Sequence, residues 1–142
     1  MKQSRTFAGI LILLMITGLF MSSCTEEDEI IDPTTDARDN FTGTWLCQES
    51  TKSTDNTYPV TIVADPSNSA QVLLKNYMQL GVEIEAYAIV TESTITVPTQ
   101  EIGSGESWTV SAFGTLTGEN QIEFSKYNGN QLQLTAVFTR QK

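Results

Sequence analysis

From residue 41 onward the chain consists of short segments in which apolar and polar residues alternate with a period of two. Such alternation is typical of β-strands that bury one face. It predicts eight strands, here lettered A to H: Trp45–Ser50, Tyr58–Ala64, Gln71–Leu80, Val82–Val90, Thr94–Pro98, Ser107–Leu116, Gln121–Tyr127 and Gln131–Arg140. Because no window shows sustained helical periodicity, the predicted fold class is all-β.

The connections between these segments are mostly short. Gly81 predicts a tight connection between strands C and D, and Asn128-Gly129 is the strongest hairpin signal in the chain. Two longer polar loops are predicted at Thr51–Thr57 and Thr99–Glu106. Eight strands joined mainly by hairpins predict an antiparallel up-and-down meander, closed into a barrel or folded as a sandwich. The barrel is the preferred architecture.

Period-two alternation also assigns the side chains that face the interior. The two faces are distinct except in strand C, where Leu73 and Tyr77 are apolar on the opposite parity. Several inward positions carry small residues, which would leave room for a bound molecule: Ala86, Ala88, Ala112, Gly114 and Ala136. The larger inward residues are Val82, Ile84 and Val90 on strand D, Trp108, Val110 and Leu116 on F, Ile122 and Phe124 on G, and Leu132, Leu134 and Phe138 on H.

The first 23 residues have the pattern of an export signal. Lys2 and Arg5 precede a fifteen-residue apolar run, Phe7–Met21, which is shorter than the ~20 residues of a spanning helix. The run ends in small residues immediately before Cys24. This arrangement resembles the lipobox of bacterial lipoproteins, in which the cysteine sulfur receives a diacylglycerol and becomes the new N-terminus. The resemblance implies a signal peptide over residues 1–23 and a membrane partner held through acyl chains on Cys24.

Residues 24–40 have the composition of a flexible tether. Seven acidic residues crowd this stretch, and almost nothing in it is apolar beyond Ile30 and Ile31. The acidic cluster Glu26–Glu29 resembles the surface-export signal of lipoproteins in Bacteroides-type bacteria. That resemblance implies an outer-membrane lipoprotein on the cell surface, with a periplasm-facing location as the alternative. The remaining residues, 41–142, are predicted to form the barrel domain.

Composition excludes several classes of function. The formal net charge of −9 argues against nucleic acid as a partner. The chain has no histidine, so it lacks the commonest general base and metal ligand. Cys47 is the remaining thiol once Cys24 is acylated, and its inward parity predicts a buried apolar role. We therefore expect no enzyme activity, no catalytic residues, no metal and no cofactor.

Trp45 and Arg140 are predicted to meet where the barrel closes. In an eight-stranded meander the first and last strands become neighbours, and Arg140 shares the inward parity of its strand. A guanidinium over the Trp45 indole is a favourable cation–π contact. The Gly43-Thr44-Trp45 motif with an arginine from the last strand resembles the calycin superfamily of lipocalins, fatty-acid-binding proteins and avidins. The domain looks most like the small lipocalin-like lipoproteins of Bacteroides-type bacteria, a group with no generally assigned activity.

Two classes of function remain open at the sequence level. The resemblance favours a membrane-anchored module that holds a small apolar ligand in the barrel. The alternative is a lipoprotein with a filled barrel that acts on an unknown protein partner through its loops, for example as an inhibitor. Both long loops are predicted at the rim opposite the tether, and the expected ligand contacts near that rim are Glu49, Tyr58, Met78 and Trp108.

The lipid anchor can be tested directly by substituting Cys24→Ala. Removing the sulfur that accepts the diacylglycerol should leave the protein unprocessed or soluble, which mass spectrometry and detergent partitioning would detect. Unchanged mass and unchanged membrane partitioning in the variant would contradict lipidation at this position.

Overall fold

The computed structural model describes residues 36–142, which form a closed barrel of eight antiparallel strands and two short 3₁₀ helices. The signal peptide, Cys24 and the acidic cluster Glu26–Glu29 lie outside the described residues. The 3₁₀ helices span Ala37–Asn40 and Tyr77–Gln79. The strands are β1 (Gly43–Ser50), β2 (Asp55–Ala64), β3 (Gln71–Lys75), β4 (Glu85–Val90), β5 (Thr94–Ile102), β6 (Trp108–Thr117), β7 (Gln121–Gly129) and β8 (Leu132–Arg140).

The strand order confirms the predicted up-and-down topology. Each strand pairs with its sequence neighbour, and β1 pairs with β8 from Trp45 opposite Arg140 to Ser50 opposite Thr135. This closing ladder distinguishes a barrel from a sandwich. Four connections, 51–54, 76–84, 103–107 and 130–131, lie at one end, which we call the upper rim. The other three connections lie at the lower rim, together with Gly43 and Arg140 at the ends of the closing strands.

The structure corrects the prediction for strands C and D. Strand β3 ends at Lys75, and β4 begins only at Glu85, so residues 76–84 form the longest connection of the upper rim. Tyr77–Gln79, predicted as strand, is a 3₁₀ helix, and Val82, predicted inward, is 66% exposed. Strict alternation fails here because Asn76 adopts a left-handed conformation with φ 60°, which ends the strand.

A bulge in β7 moves the predicted hairpin by two residues. Phe124 lies opposite Gly114 and Lys126 opposite Phe113, so Ser125 is an extra residue on β7. The strand then continues through Asn128 and Gly129, and the tight turn falls on residues 130 and 131. Both turn residues have positive φ, 46° and 69°, as a type I′ turn requires. Leu132, predicted to face the interior, is 62% exposed beside this turn.

A second irregularity lengthens β5 beyond the predicted strand E. The register with β6 shifts between Val97 and Gln100, and the strand continues to Ile102. Ile95, Val97 and Ile102 are all buried although they do not share one parity. The predicted long loop Thr99–Glu106 is therefore reduced to residues 103–107.

Large side chains fill the space expected beside the small inward residues. The rings of Phe124, Tyr127 and Phe138 pack together, with centroids 4.7 to 6.2 Å apart. A Cβ added to Gly114 would lie 2.9 Å from the Phe124 ring. Ala86 and Ala88 have no exposed surface, and Ala112 and Ala136 have 2%. A void large enough for water would leave accessible surface on these residues, so the barrel is filled around them.

At the lower rim Arg140 lies over Trp45, with the guanidinium carbon 4.2 Å from the ring centroid. The Trp45 indole is fully buried and donates to the carbonyl of Phe41 at 2.7 Å. The guanidinium donates to the carbonyls of Asn40 at 2.5 Å, Thr42 at 2.7 Å and Glu119 at 3.0 Å. Gly43, at φ +129°, makes this approach possible because a Cβ would lie 3.1 Å from Nη1 of the arginine.

The first 3₁₀ helix ties together the connections of the lower rim. Its Arg38 donates to the carbonyls of Asp65 and Asn68, and the Asn40 amide donates to the carbonyl of Glu92. The segment predicted as tether thus has defined structure from Ala37 to its end at Asn40. Within residues 36–142 no helix is long and apolar enough to cross a membrane.

Substitution of Trp45→Ala tests how much the lower rim contributes to stability. The change removes a fully buried indole and its contact with Arg140. The free energy of unfolding should fall by about 3–5 kcal/mol. Denaturant unfolding measures the loss, with Tyr87→Ala on the outer face of β4 as the aromatic control, for which we expect a change below about 1 kcal/mol. Equal losses in both variants would contradict the assignment.

Candidate functional site

The upper interior of the barrel contains a row of polar side chains from three strands. The Tyr58 hydroxyl donates to Oε2 of Glu49 at 2.5 Å and lies 3.2 Å from the Tyr127 hydroxyl. Because the single proton of Tyr58 is engaged by the carboxylate, the Tyr127 hydroxyl must be the donor in the second hydrogen bond. Cys47, two residues before Glu49 on β1, lies opposite Tyr58 and is fully buried.

Burial dominates the electrostatics of this row. Desolvation raises the pKa of the Cys47 thiol to about 12, with the nearby Glu49 charge acting in the same direction. Desolvation also raises the pKa values of Tyr58 and Tyr127. Thiol and phenols are therefore neutral at physiological pH, and neither is suited to act as a nucleophile.

Tyr77 and Met78, on the second 3₁₀ helix, insert into the upper end of the barrel. We call these two residues the plug. The ring of Tyr77 packs on that of Tyr127 with centroids 5.2 Å apart, and Tyr77 has no exposed surface. Met78 fills the space beside Gly129, where an added Cβ would lie 2.5 Å from the Met78 sulfur. The plug thus closes the interior from the upper rim.

The backbone that carries the plug is strained. Asn76, Met78 and Gln79 all have left-handed φ values, between 53° and 60°. For Met and Gln such a conformation costs about 1–2 kcal/mol per residue, whereas Asn tolerates it better. The Asn76 side chain holds the turn by donating to the carbonyl of Pro59 and accepting from the amide of Gly81.

A shallow cleft of about 180 Å³ opens on the upper rim outside the plug. Its walls are the 76–84 connection on one side and the Gly-rich 103–107 connection on the other. Leu80, Ile84 and the half-buried Trp108 supply its apolar surface, and Glu106 brings a carboxylate to its edge. We call this depression the rim cleft.

The four residues predicted to contact a ligand separate into two pairs. Glu49 and Tyr58 are hydrogen-bonded to each other inside the barrel. Met78 and Trp108 both lie against Gly129, with Met78 inside the barrel and Trp108 also lining the rim cleft. Sequence reasoning did not assign Tyr127 to this region, because the bulge at Ser125 reverses the parity of β7. The alternation of apolar and polar residues left the orientation of Tyr77 undecided. Its inward position follows from the turn at Asn76, which inserts the plug.

The fold and its upper interior define the class: an eight-stranded up-and-down antiparallel β-barrel with a filled interior and a closed lower rim. No protein-family model matches the chain, and no curated protein matches its sequence. Among solved structures, a redesigned β-barrel is similar over 77% of this chain and 98% of its own, with a TM-score of 0.49 and 14% identity.

The raised pKa of Cys47 predicts that its thiol is unreactive in the folded protein. At pH 8 a pKa of about 12 in place of 9 reduces the thiolate fraction roughly a thousand-fold. Labelling by a thiol-specific disulfide reagent should therefore be slow in buffer and fast in denaturant.

The same shift predicts how stability depends on pH. The folded state holds the Cys47 proton more tightly than the unfolded state. The contribution of this proton to the free energy of unfolding is therefore full below about pH 9 and is lost as pH rises towards 12. Cys47→Ala should unfold with a shallower dependence on pH across this window. Fast labelling of the folded protein, or identical pH dependence in both forms, would contradict the assignment.

Proposed function

We propose that this protein is a lipid-anchored interaction module of the bacterial outer membrane, displayed on the cell surface, that binds a partner protein through the loops of its upper rim. The observation that carries the proposal is the filled interior. With the plug in place, large aromatic side chains occupy the space that an apolar ligand would need. The rim cleft, by contrast, is an accessible concave surface formed by two loops on a rigid barrel.

The chemistry of the rim cleft suits an amphipathic side chain of a partner. Trp108 offers part of an indole surface, and aromatic residues at the centre of a surface depression are frequent energetic anchors in protein interfaces. Glu106 places a negative charge at the edge, which favours a partner group that carries a positive charge. A cleft of about 180 Å³ accommodates one or two side chains rather than a whole small-molecule ligand.

The geometry of the barrel supports presentation of this surface away from the membrane. The described chain begins at the lower rim, where the first 3₁₀ helix is held by the connections 65–70 and 91–93. An anchor at Cys24 would therefore attach to the end opposite the rim cleft. A non-enzymatic role is part of the proposal, because burial keeps the thiol and the phenols of the interior protonated.

Site-specific photocrosslinking in the native cells tests this proposal. A photoreactive amino acid in place of Glu106, at the rim cleft, should give a discrete crosslinked adduct with a partner protein. The matched control places the same amino acid at Glu119, an exposed acidic residue at the lower rim. Trp108→Ala should abolish the adduct from position 106 while the barrel remains folded by circular dichroism.

Two outcomes would contradict docking at the upper rim. The first is an equal yield of adducts from positions 106 and 119, which would indicate contact without specificity. The second is a specific adduct from position 106 that persists in the Trp108→Ala variant, because the partner would then not use the apolar floor of the cleft.

A further inference from the structure

The upper interior beneath the plug has the features of a binding site for a protonated amine. The plug closes the barrel with a strained backbone and an unpaired hydroxyl, and the groups beneath it are polar and aromatic. Together these features distinguish it from an ordinary core segment. The inference concerns the interior, and it does not depend on a protein partner at the rim cleft.

The first observation is that the plug fits its position imperfectly. The Tyr77 hydroxyl is fully buried and has no hydrogen-bond partner among the described residues. Buried polar groups are nearly always paired, so an unpaired hydroxyl indicates a place where another group would be better satisfied. The strained backbone at Met78 and Gln79 also favours opening of the plug, because release of the turn would relieve the strain.

The second observation is the charge beside the plug. Glu49 lies in the interior with 9% of its surface exposed, and the described chain engages only its Oε2, through the Tyr58 hydroxyl. No lysine or arginine in the described residues forms an ion pair with it. The Tyr77 ring packs on Tyr127, whose hydroxyl lies 3.2 Å from the Tyr58 hydroxyl that donates to Glu49, so the plug and the carboxylate belong to one cluster. Burial raises the pKa of the Tyr77 phenol, the neighbouring Tyr127 hydroxyl lowers it by a smaller amount, and Cys47 and Glu49 raise it further.

The third observation is the aromatic surface around these groups. The Tyr127 ring packs against Tyr77 on one side and Phe124 on the other, with centroids 5.2 and 5.3 Å apart. If Tyr77 moves out, the face that it covers becomes available to a ligand ring in the same position. A carboxylate beside tyrosine rings is also the environment that favours an organic ammonium group.

We propose that the 76–84 connection is a gate, and that its opening admits a small arylalkyl ammonium ligand whose ring replaces Tyr77 against Tyr127 and whose charge pairs with Glu49. The ligand takes the place of a side chain that leaves its own hydroxyl unpaired. The part of this connection that moves lies between Asn76 at one end and Gly81 at the other. Gly81, at φ +115° with open space around it, suits a hinge.

The proposal is tested by calorimetric titration of the full chain in detergent with 2-phenylethylamine, which is protonated at pH 7. The neutral alcohol 2-phenylethanol has nearly the same shape and serves as the ligand control. Wild-type protein should bind the amine weakly, because the apparent dissociation constant is increased when only a fraction of molecules is open. Tyr77→Ala should bind the amine at least ten-fold more tightly than wild type.

The charge requirement is tested in the same background. In Tyr77→Ala the amine should bind at least ten-fold more tightly than the alcohol, and adding Glu49→Gln should abolish that preference. Tyr87→Ala, which removes an exposed tyrosine from the outer face of β4, should bind like wild type. The proposal is overturned if Tyr77→Ala binds the amine no better than wild type, or if it binds the amine and alcohol alike.

A second variant tests the gate without creating a cavity. Gln79 is exposed and left-handed, and Asn tolerates that conformation better, so Gln79→Asn should stabilise the closed turn. The apparent dissociation constant for the amine should rise two- to five-fold while the preference for amine over alcohol stays unchanged. If Tyr77→Ala does not fold, Gln79→Asn tests the gate by itself. Binding of the amine by Gln79→Asn equal to that of wild type would overturn the gate.

Discussion

The contact of Arg140 with Trp45 is the interaction on which the closure of this barrel depends. It lies at the first pair of the β1–β8 ladder, and the same guanidinium donates to carbonyls of Asn40, Thr42 and Glu119. The Arg140 side chain therefore links β8 to the residues that lead into β1 and to the turn between β6 and β7. Each donor satisfies a carbonyl that would otherwise lose solvent without compensation, while the indole supplies the apolar surface beneath.

Closure at the lower rim leaves the upper half of the barrel to be filled by other means. The inward residues of β4 and β6 are small, so strands alone would leave space there. Two irregularities supply the missing volume. The bulge at Ser125 turns Tyr127 inward, and the 76–84 connection inserts Tyr77 and Met78. The interior is thus completed by departures from regular strand geometry. These departures carry Tyr77 and Tyr127, two of the interior hydroxyl groups, and the left-handed residues Asn76, Met78 and Gln79.

This arrangement places the densest packing at one rim of the domain and the proposed binding surfaces at the other. The lower rim is dense in apolar burial and in hydrogen bonds from arginine to carbonyl groups, which favours rigidity. Among residues 36–142, the upper rim contains the longest connection, the left-handed residues other than glycine and a buried hydroxyl without a hydrogen-bond partner. Segments with such features have low local stability, and moving elements are drawn from them. Both the rim cleft and the proposed gate lie at this end.

Sequence alone was sufficient for the all-β class, the eight-strand meander and the inward parity of β1 and most of β6, because period-two alternation is local and one face of each strand is buried. It also predicted the meeting of Trp45 and Arg140, which follows from closure and parity. The bulges, the inserted plug and the filled interior were decided by tertiary structure. They depend on packing between residues far apart in the chain: Tyr77 on Tyr127, Met78 beside Gly129, and Phe124 over Gly114. No local pattern at Ser125 or Asn76 encodes those contacts, so the candidate site became visible only once the barrel had closed around it.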